Sequence, residues 1–331
     1  MEKLNVAVSP HLKTKDSVPK IMWTVVVSLI PAGIGSVYFF GLHALGIIIS
    51  SVAGAVLTEA LIQKVFLKKP VTITDGSAVV TGILLAFSIS PQVPLWLVVV
   101  GSAFGIGIAK HCFGGLGWNV FNPAMIGRAF LLASWPALMT RWITSFDAKT
   151  TASPLGILKE EGIEALVAYF GNHATMYKSL FLGSVSGSLG ETSCLLLLIG
   201  AIILFIKGYI TWPIPFSFLG TIALLSWVFG GQGLCNGDPL LNILSGGVIL
   251  GAFFIATDMV TSPTTKIGQL IFGMGAGALV VLIRLKGGYP EGVCYAVLLM
   301  NALVPITDRL VKRRPFGMKT TEITGKEKEG R

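Results

Sequence analysis

Three hydroxyl side chains crowd one short polar stretch, Asp147-Ala-Lys-Thr150-Thr151-Ala-Ser153. A hydroxyl can be esterified by a phosphate, so this stretch offers an attachment point for a phosphate-bearing group. On residue types alone it is also an ordinary Asp- and Ser/Thr-rich turn. A second pattern is Trp118-Asn119-Val-Phe-Asn122-Pro123. Side-chain amides both donate and accept, and two of them three residues apart share a face of a helix. They would suit the edge of a planar heterocycle that carries carbonyls and an imide N–H. Helix capping is the plainer reading, and it accounts for one asparagine better than for two. A third pattern is Gly183-Ser-Val-Ser-Gly187-Ser188-Leu-Gly-Glu191-Thr-Ser193. Its glycines allow close backbone approach, and it leads into an apolar run whose first N–H groups favour a phosphate; a capped turn fits it equally. Arg128 sits inside an apolar segment, where a charge is costly and marks a functional candidate. Its expected partner is Asp258 or a bound group. Thr257 and Asp258 open a polar break, 257–265, that can line a pocket because unwound backbone at membrane depth needs partners.

The elements that must position these residues are apolar. The chain has 331 residues, is 53% hydrophobic and 12% charged, and has a mean hydropathy of +0.77. Soluble domains are about one quarter charged. Runs of roughly 20 apolar residues recur, and no alternating barrel strands are seen, so the pattern predicts an all-α polytopic membrane protein. Ten spanning or partly spanning segments are expected at about 21–40, 43–64, 76–90, 94–111, 119–138, 191–209, 212–230, 240–257, 267–284 and 291–312. The net charge of +9 sits in loops and tails beside apolar runs. That is a positive-inside bias rather than a nucleic-acid surface. No short apolar core precedes a cleavage site in the first twenty residues, so no cleaved signal is expected. Cys112, Cys194, Cys235 and Cys294 are scattered without a CxxC pair, which argues against metal or iron–sulfur ligation and for small packing residues; one disulfide, Cys194–Cys235, is left open.

The third and eighth segments are short and run into Ser90-Pro91 and Ser262-Pro263. Interrupted segments at matching places in two halves mark transporter-type binding sites. Thr81–Phe87 resembles Gly247–Phe253, and a glycine-rich helix, a Gly-Gly turn and a residue–proline pair follow in each half. Five segments per half require the second copy to be inverted. With both termini inside, Lys and Arg divide 18 inside to 6 outside, with Arg128 within a helix. The reading is therefore a cytoplasmic N-terminal segment (1–20), a first five-helix repeat (21–138), an external loop (139–190), a second repeat (191–312) and a cytoplasmic tail (313–331) that can touch anionic lipid.

Several blocks in order carry a resemblance: Lys110-His-Cys-Phe-Gly-Gly-Leu-Gly-Trp-Asn-Val-Phe-Asn-Pro-Ala124, Gly183 to Ser193, Ser245 to Asp258, and Gly287-Gly-Tyr-Pro-Glu-Gly292. Together they resemble the RnfD/NqrB family over about residues 20–312, and the absence of a long N-terminal extension makes the chain look more like RnfD. The resemblance implies a urea-transporter-like fold of two inverted repeats. It implies a component of an ion-translocating ferredoxin:NAD+ oxidoreductase in the bacterial inner membrane. Its expected partners are an outer flavin subunit, iron–sulfur membrane subunits and an NAD-binding subunit. The family's flavinylation pattern is an acid, two variable residues, Ser or Thr, usually Gly, Ala, then Thr. Asp147, Thr150, Thr151, Ala152 and Ser153 occupy those places, so the resemblance implies FMN esterified to Ser153, with Ser for Thr and Thr151 for Gly as departures. It also implies a noncovalent riboflavin near Asn119 and Asn122. The rival reading from the same broken-helix pattern is a urea-transporter-like small-solute channel, which has no use for a flavin loop.

Overall fold

The computed structural model describes residues 16–144, 151–231 and 233–311. Every regular element among the described residues is a helix. Four are long and apolar enough to cross a bilayer: α1 (Val18–Phe40), α2 (Leu42–Leu61, running on to Phe66 as a widened π turn), α14 (Lys266–Lys286) and α15 (Val293–Leu310). Shorter apolar helices accompany them: α3 (Ser77–Phe87), α4 (Leu95–Phe104, continued as a π segment to His111), α5 (Pro123–Ser134), α10 (Cys194–Ile206) and α11 (Pro213–Phe229). A one-turn helix, α6 (Pro136–Met139), follows α5.

Two expected segments take a different form. The segment expected at 119–138 becomes helical only at Pro123, because Pro is favoured at the first helical position and Asn122 caps the helix in extended backbone. The segment at 240–257 is broken into α12 (Pro239–Leu244), α13 (Val248–Leu250) and a π turn, Gly251–Ile255. The break falls at Gly246, whose φ of +66 favours glycine, which has no Cβ to clash. The long loop is not unstructured either: it holds α7 (Pro154–Glu160), α8 (Ile163–Phe170) and α9 (His173–Leu182). These close over their own small core of Leu166, Met176, Leu180, Val185 and Leu241. Tyr177 fastens that lobe to α12 by donating to Asp238. Burial and this bond push its hydroxyl up to about 12, so it remains a donor at neutral pH.

The molecule has two polar faces, one at each end of α1. At its start, Tyr209 donates to Asp16 at 3.1 Å and Trp23 to the Thr74 carbonyl at 3.2 Å. The Thr264 N–H donates to Asp308 near the end of α15 on this face. At the other end, Phe39 lies against Gly183. There Ser90 donates to the Arg141 carbonyl, and Lys159 reaches the Tyr289 carbonyl at 3.3 Å. The 23 residues of α1 separate the faces by roughly 34 Å at 1.5 Å per residue. Residues 151–193 thus gather on the face opposite the start of α1 and the end of α15. Between the faces one large apolar core joins helices of both halves.

Candidate functional site

Two cavities receive the residues singled out by the sequence. The first, on the 151–193 face, is lined by Ser153, Gly187, Ser188, Glu191, Gly246 and Glu291 among others, and encloses about 480 Å³. Ser153 stands at its rim as the N-cap of α7, its Oγ accepting from the Gly156 N–H at 3.1 Å. The glycine-rich loop is bound to the hydroxyl stretch directly: Ser186 Oγ donates to the Ala152 carbonyl at 2.7 Å. Thr151 turns elsewhere, its N–H donating to the Trp142 carbonyl and its hydroxyl 3.2 Å from that of Thr144. Asp147 and Thr150 lie outside the described residues.

The loop's position is fixed by backbone pairing with the end of α3. Leu189 donates to the Ile89 carbonyl and Gly190 to that of Phe87. A Cβ at residue 190 would come within 2.1 Å of Phe87 Cγ and 2.4 Å of Phe87 Cβ, and the latter is bonded to the backbone and cannot swing away. Gly190→Ala should therefore cost about 1–3 kcal/mol by overpacking and loosen the glycine-rich loop. Gly220→Ala, where the new methyl meets nothing within 4 Å, should be neutral or better. Thermal melting of the two purified variants in detergent checks this; equal melting points would contradict it.

The floor of this cavity is a buried charge cluster. Arg128 Nη1 donates to Glu191 Oε1 at 3.2 Å, and Nη2 donates to Glu291 Oε2. Gly247 N–H donates to Glu291 Oε1 at 2.9 Å. The expected Arg128–Asp258 pair does not form. Asp258 instead accepts from Val260 N–H and Thr261 Oγ1 within its own turn, because the break before it carries the chain to the other cavity. Arg284 lies behind the cluster, donating to the Asn242 and Ser245 carbonyls. Cys194 and Cys235 are both free thiols, the first buried and the second exposed.

The second cavity opens on the face at the start of α1. It encloses about 820 Å³ and is lined by Asn119, Asn122, Thr257, Asp258, Lys110 and Ser77, with apolar walls from α1, α3 and the π turn after α13. Asn119 and Asn122 do meet here, though not on one helix face: both precede α5. Asn122 is its N-cap, accepting from Ala124 and Met125 N–H. Asn119 donates to the Phe121 carbonyl at 3.4 Å, while its buried Oδ1 has no partner. Thr257 hydrogen-bonds back to the Phe253 carbonyl.

Sequence reasoning passed over the groups beside that cavity. Lys110, 2% exposed, donates to both oxygens of Glu59 at 2.7 and 2.8 Å and to Ser77 Oγ at 2.6 Å. Glu59 stands alone among the apolar residues of α2, a signal for a paired intramembrane charge. Arg128 lies six residues beyond Asn122, the N-cap of its helix, about 9 Å of axial rise. The wall of one cavity and the floor of the other are therefore joined through α5. Close packing holds α5 there, since a Cβ on Gly127 would come within 2.6 Å of the Gly101 carbonyl oxygen of α4.

Comparison with known proteins gives a single answer. Residues 5–317 match the model of the NQR2, RnfD, RnfE family. A relative from Clostridium ljungdahlii, named as a subunit of a proton-translocating ferredoxin:NAD(+) oxidoreductase complex, is 51% identical over 94% of this chain and 96% of its own. A relative from Acetobacterium woodii, named as the corresponding subunit of a Na(+)-translocating ferredoxin:NAD(+) oxidoreductase complex, is 47% identical over 96% and 97%. Another, from Methanosarcina acetivorans and named as a subunit of an ion-translocating oxidoreductase complex, is 36% identical over 96% and 98%.

Proposed function

Because the chain belongs to the NQR2, RnfD, RnfE family, we propose that it is the flavin-carrying membrane subunit of an Rnf-type ferredoxin:NAD+ oxidoreductase that couples electron transfer to ion movement. The observation that carries this reading is the convergence of Ser153, the Gly187-Ser188 loop and a buried charge cluster on one cavity. FMN esterified to Ser153 would have its phosphate beside that loop. A second flavin, riboflavin, suits the other cavity, whose apolar walls meet the buried, unpartnered Asn119 Oδ1. The flavins would supply the electron-carrying chemistry; the chain binds them, spaces them and tunes their surroundings. Ser153 supplies the tether. Asn119 and Asn122 orient the inner ring edge. Lys110, held by Glu59 and Ser77, presents a fixed positive charge to the same cavity.

The fold reading extends to two inverted five-helix repeats. In support, α2 packs on α3 and α4 as α11 packs on α12 and α14, while α1 meets α10 and α5 meets α15 across the halves. The charge pattern orients the chain with the 151–193 face outside and both termini in the cytoplasm of the bacterial inner membrane. Electrons would then pass from an outer flavin subunit inward, toward iron–sulfur and NAD-binding subunits. With the exposed Cys112 and Cys235 replaced by serine, a cysteine in place of Lys159 should react with an impermeant thiol reagent in intact cells, and one in place of Lys207 should not; the reverse pattern would overturn this orientation.

The inner site has its own test. Losing an amide that meets a buried flavin edge costs about 1–3 kcal/mol, which is roughly five- to 150-fold in affinity. The Asn119→Ala, Asn122→Ala double variant should lose the extractable flavin while the tethered flavin stays on the chain. Full extractable flavin and unchanged turnover in that variant would make both asparagines purely structural.

A further inference from the structure

The charge cluster on the floor of the Ser153 cavity has one feature that ion pairing alone does not explain. Glu191 and Glu291 meet on neighbouring nitrogens of one guanidinium, Arg128. Their Oε1 atoms both come within 2.8 Å of the point where a Cβ on Gly247 would stand, so the two carboxyls are neighbours. Glu191 is 5% exposed, and its Oε2 is buried without a hydrogen-bond partner. That residue lines the cavity into which Ser153 opens. A buried carboxylate oxygen left unpaired is costly, and two carboxylates this close resist ionising together. Arg128 offsets much of both penalties, so the pair stands near the point at which one more negative charge close by makes it take up a proton.

Resting on the flavin reading above, we propose that the Glu191–Glu291 pair binds one exchangeable proton, which enters from the outer aqueous phase when the group tethered at Ser153 is reduced and leaves when it is reoxidised. The electron comes from the upstream donor protein and the proton from water. The O–H bond forms on a Glu191 oxygen when the nearby negative charge rises, and breaks when that charge is passed on. The charged and titratable groups facing the pair are Arg128 from α5, Arg284 from α14, and Cys294 from the start of α15. Arg128 is committed to both acids, and Arg284 donates to backbone carbonyls. The open valence of the cluster is thus Glu191 Oε2.

The test is redox-difference infrared spectroscopy on the purified complex, in H2O and D2O. Reduction should raise a protonated-carboxyl C=O band that shifts in D2O and is lost in Glu191→Gln. Gln keeps the hydrogen bond from Arg128 but takes up no proton. The midpoint potential of the tethered flavin in the wild-type complex should also fall more steeply with pH than in Glu191→Gln. The extra dependence is tenfold in the equilibrium per pH unit, about 59 mV for one electron. A wild-type complex that carries covalent flavin yet shows no such band overturns the proton site and leaves the flavin reading standing. A chain without covalent flavin overturns both. If Glu191→Gln fails to assemble, the wild-type spectrum alone decides.

Discussion

Ser153→Ala should abolish the visible fluorescence of the chain on a denaturing gel. The hydroxyl is the only atom of that side chain able to form a phosphoester, so the effect is all or none. Ser153→Thr should retain fluorescence, because a threonine hydroxyl makes the same bond. The fold should survive the alanine: losing the single cap bond from Ser153 to Gly156 costs about 1 kcal/mol. A stable, assembled and non-fluorescent variant is the expected result. Fluorescence that persists in Ser153→Ala and disappears in Thr151→Ala or Thr150→Ala would move the attachment point upstream.

Arg128→Ala should be the most destabilising single change in the described structure. It removes the cation from two buried carboxylates at once. Breaking a buried ion pair from one side costs about 3–5 kcal/mol, because an uncompensated charge is left behind, and that is a large share of a total near 5–15 kcal/mol. The variant should melt several degrees lower in detergent and accumulate poorly. Replacing all three charges together, Arg128→Met with Glu191→Gln and Glu291→Gln, should restore most of the loss, since buried ion networks often exchange for neutral groups at little cost. A wild-type melting point in Arg128→Ala would show that the cluster is solvated or loosely held.

The fold was legible where the signal was composition and period. Apolar runs marked α1, α2, α14 and α15, and Ser90-Pro91 marked the end of the short α3, whereas the interruption between α12 and α13 falls at Gly246, well before Ser262-Pro263. Helix starts were less legible. Residues 119–122 are apolar enough to pass for helix, but Asn122-Pro123 is itself a start signal, and giving it more weight would have placed both asparagines in the turn ahead of α5. Long-range pairing was not legible. Arg128 stood out as a charge inside an apolar segment and Asp258 as one in a polar break, yet the partners of Arg128 are Glu191 and Glu291, which lie outside the helices where an acid looks unremarkable. The two acids meet α5 beside the turn at Gly246-Gly247, where a side chain on Gly247 would strike both. The link between the hydroxyl stretch and the glycine-rich loop was legible as a shared chemistry for phosphate, and the Ser186–Ala152 bond supplies the contact.

The two relatives at 51% and 47% identity are named for different coupling ions, so residues common to the fold do not fix the ion. The flavin tether proposed at Ser153 can be weighed. The intact mass of the purified, denatured chain should exceed the mass of its 331-residue sequence by one riboflavin 5′-phosphate less one water. Peptide mapping should place that increment on the fragment containing Ser153, and the same fragment should fluoresce. A chain of unmodified mass, purified from its own host with the complex intact, would contradict the account.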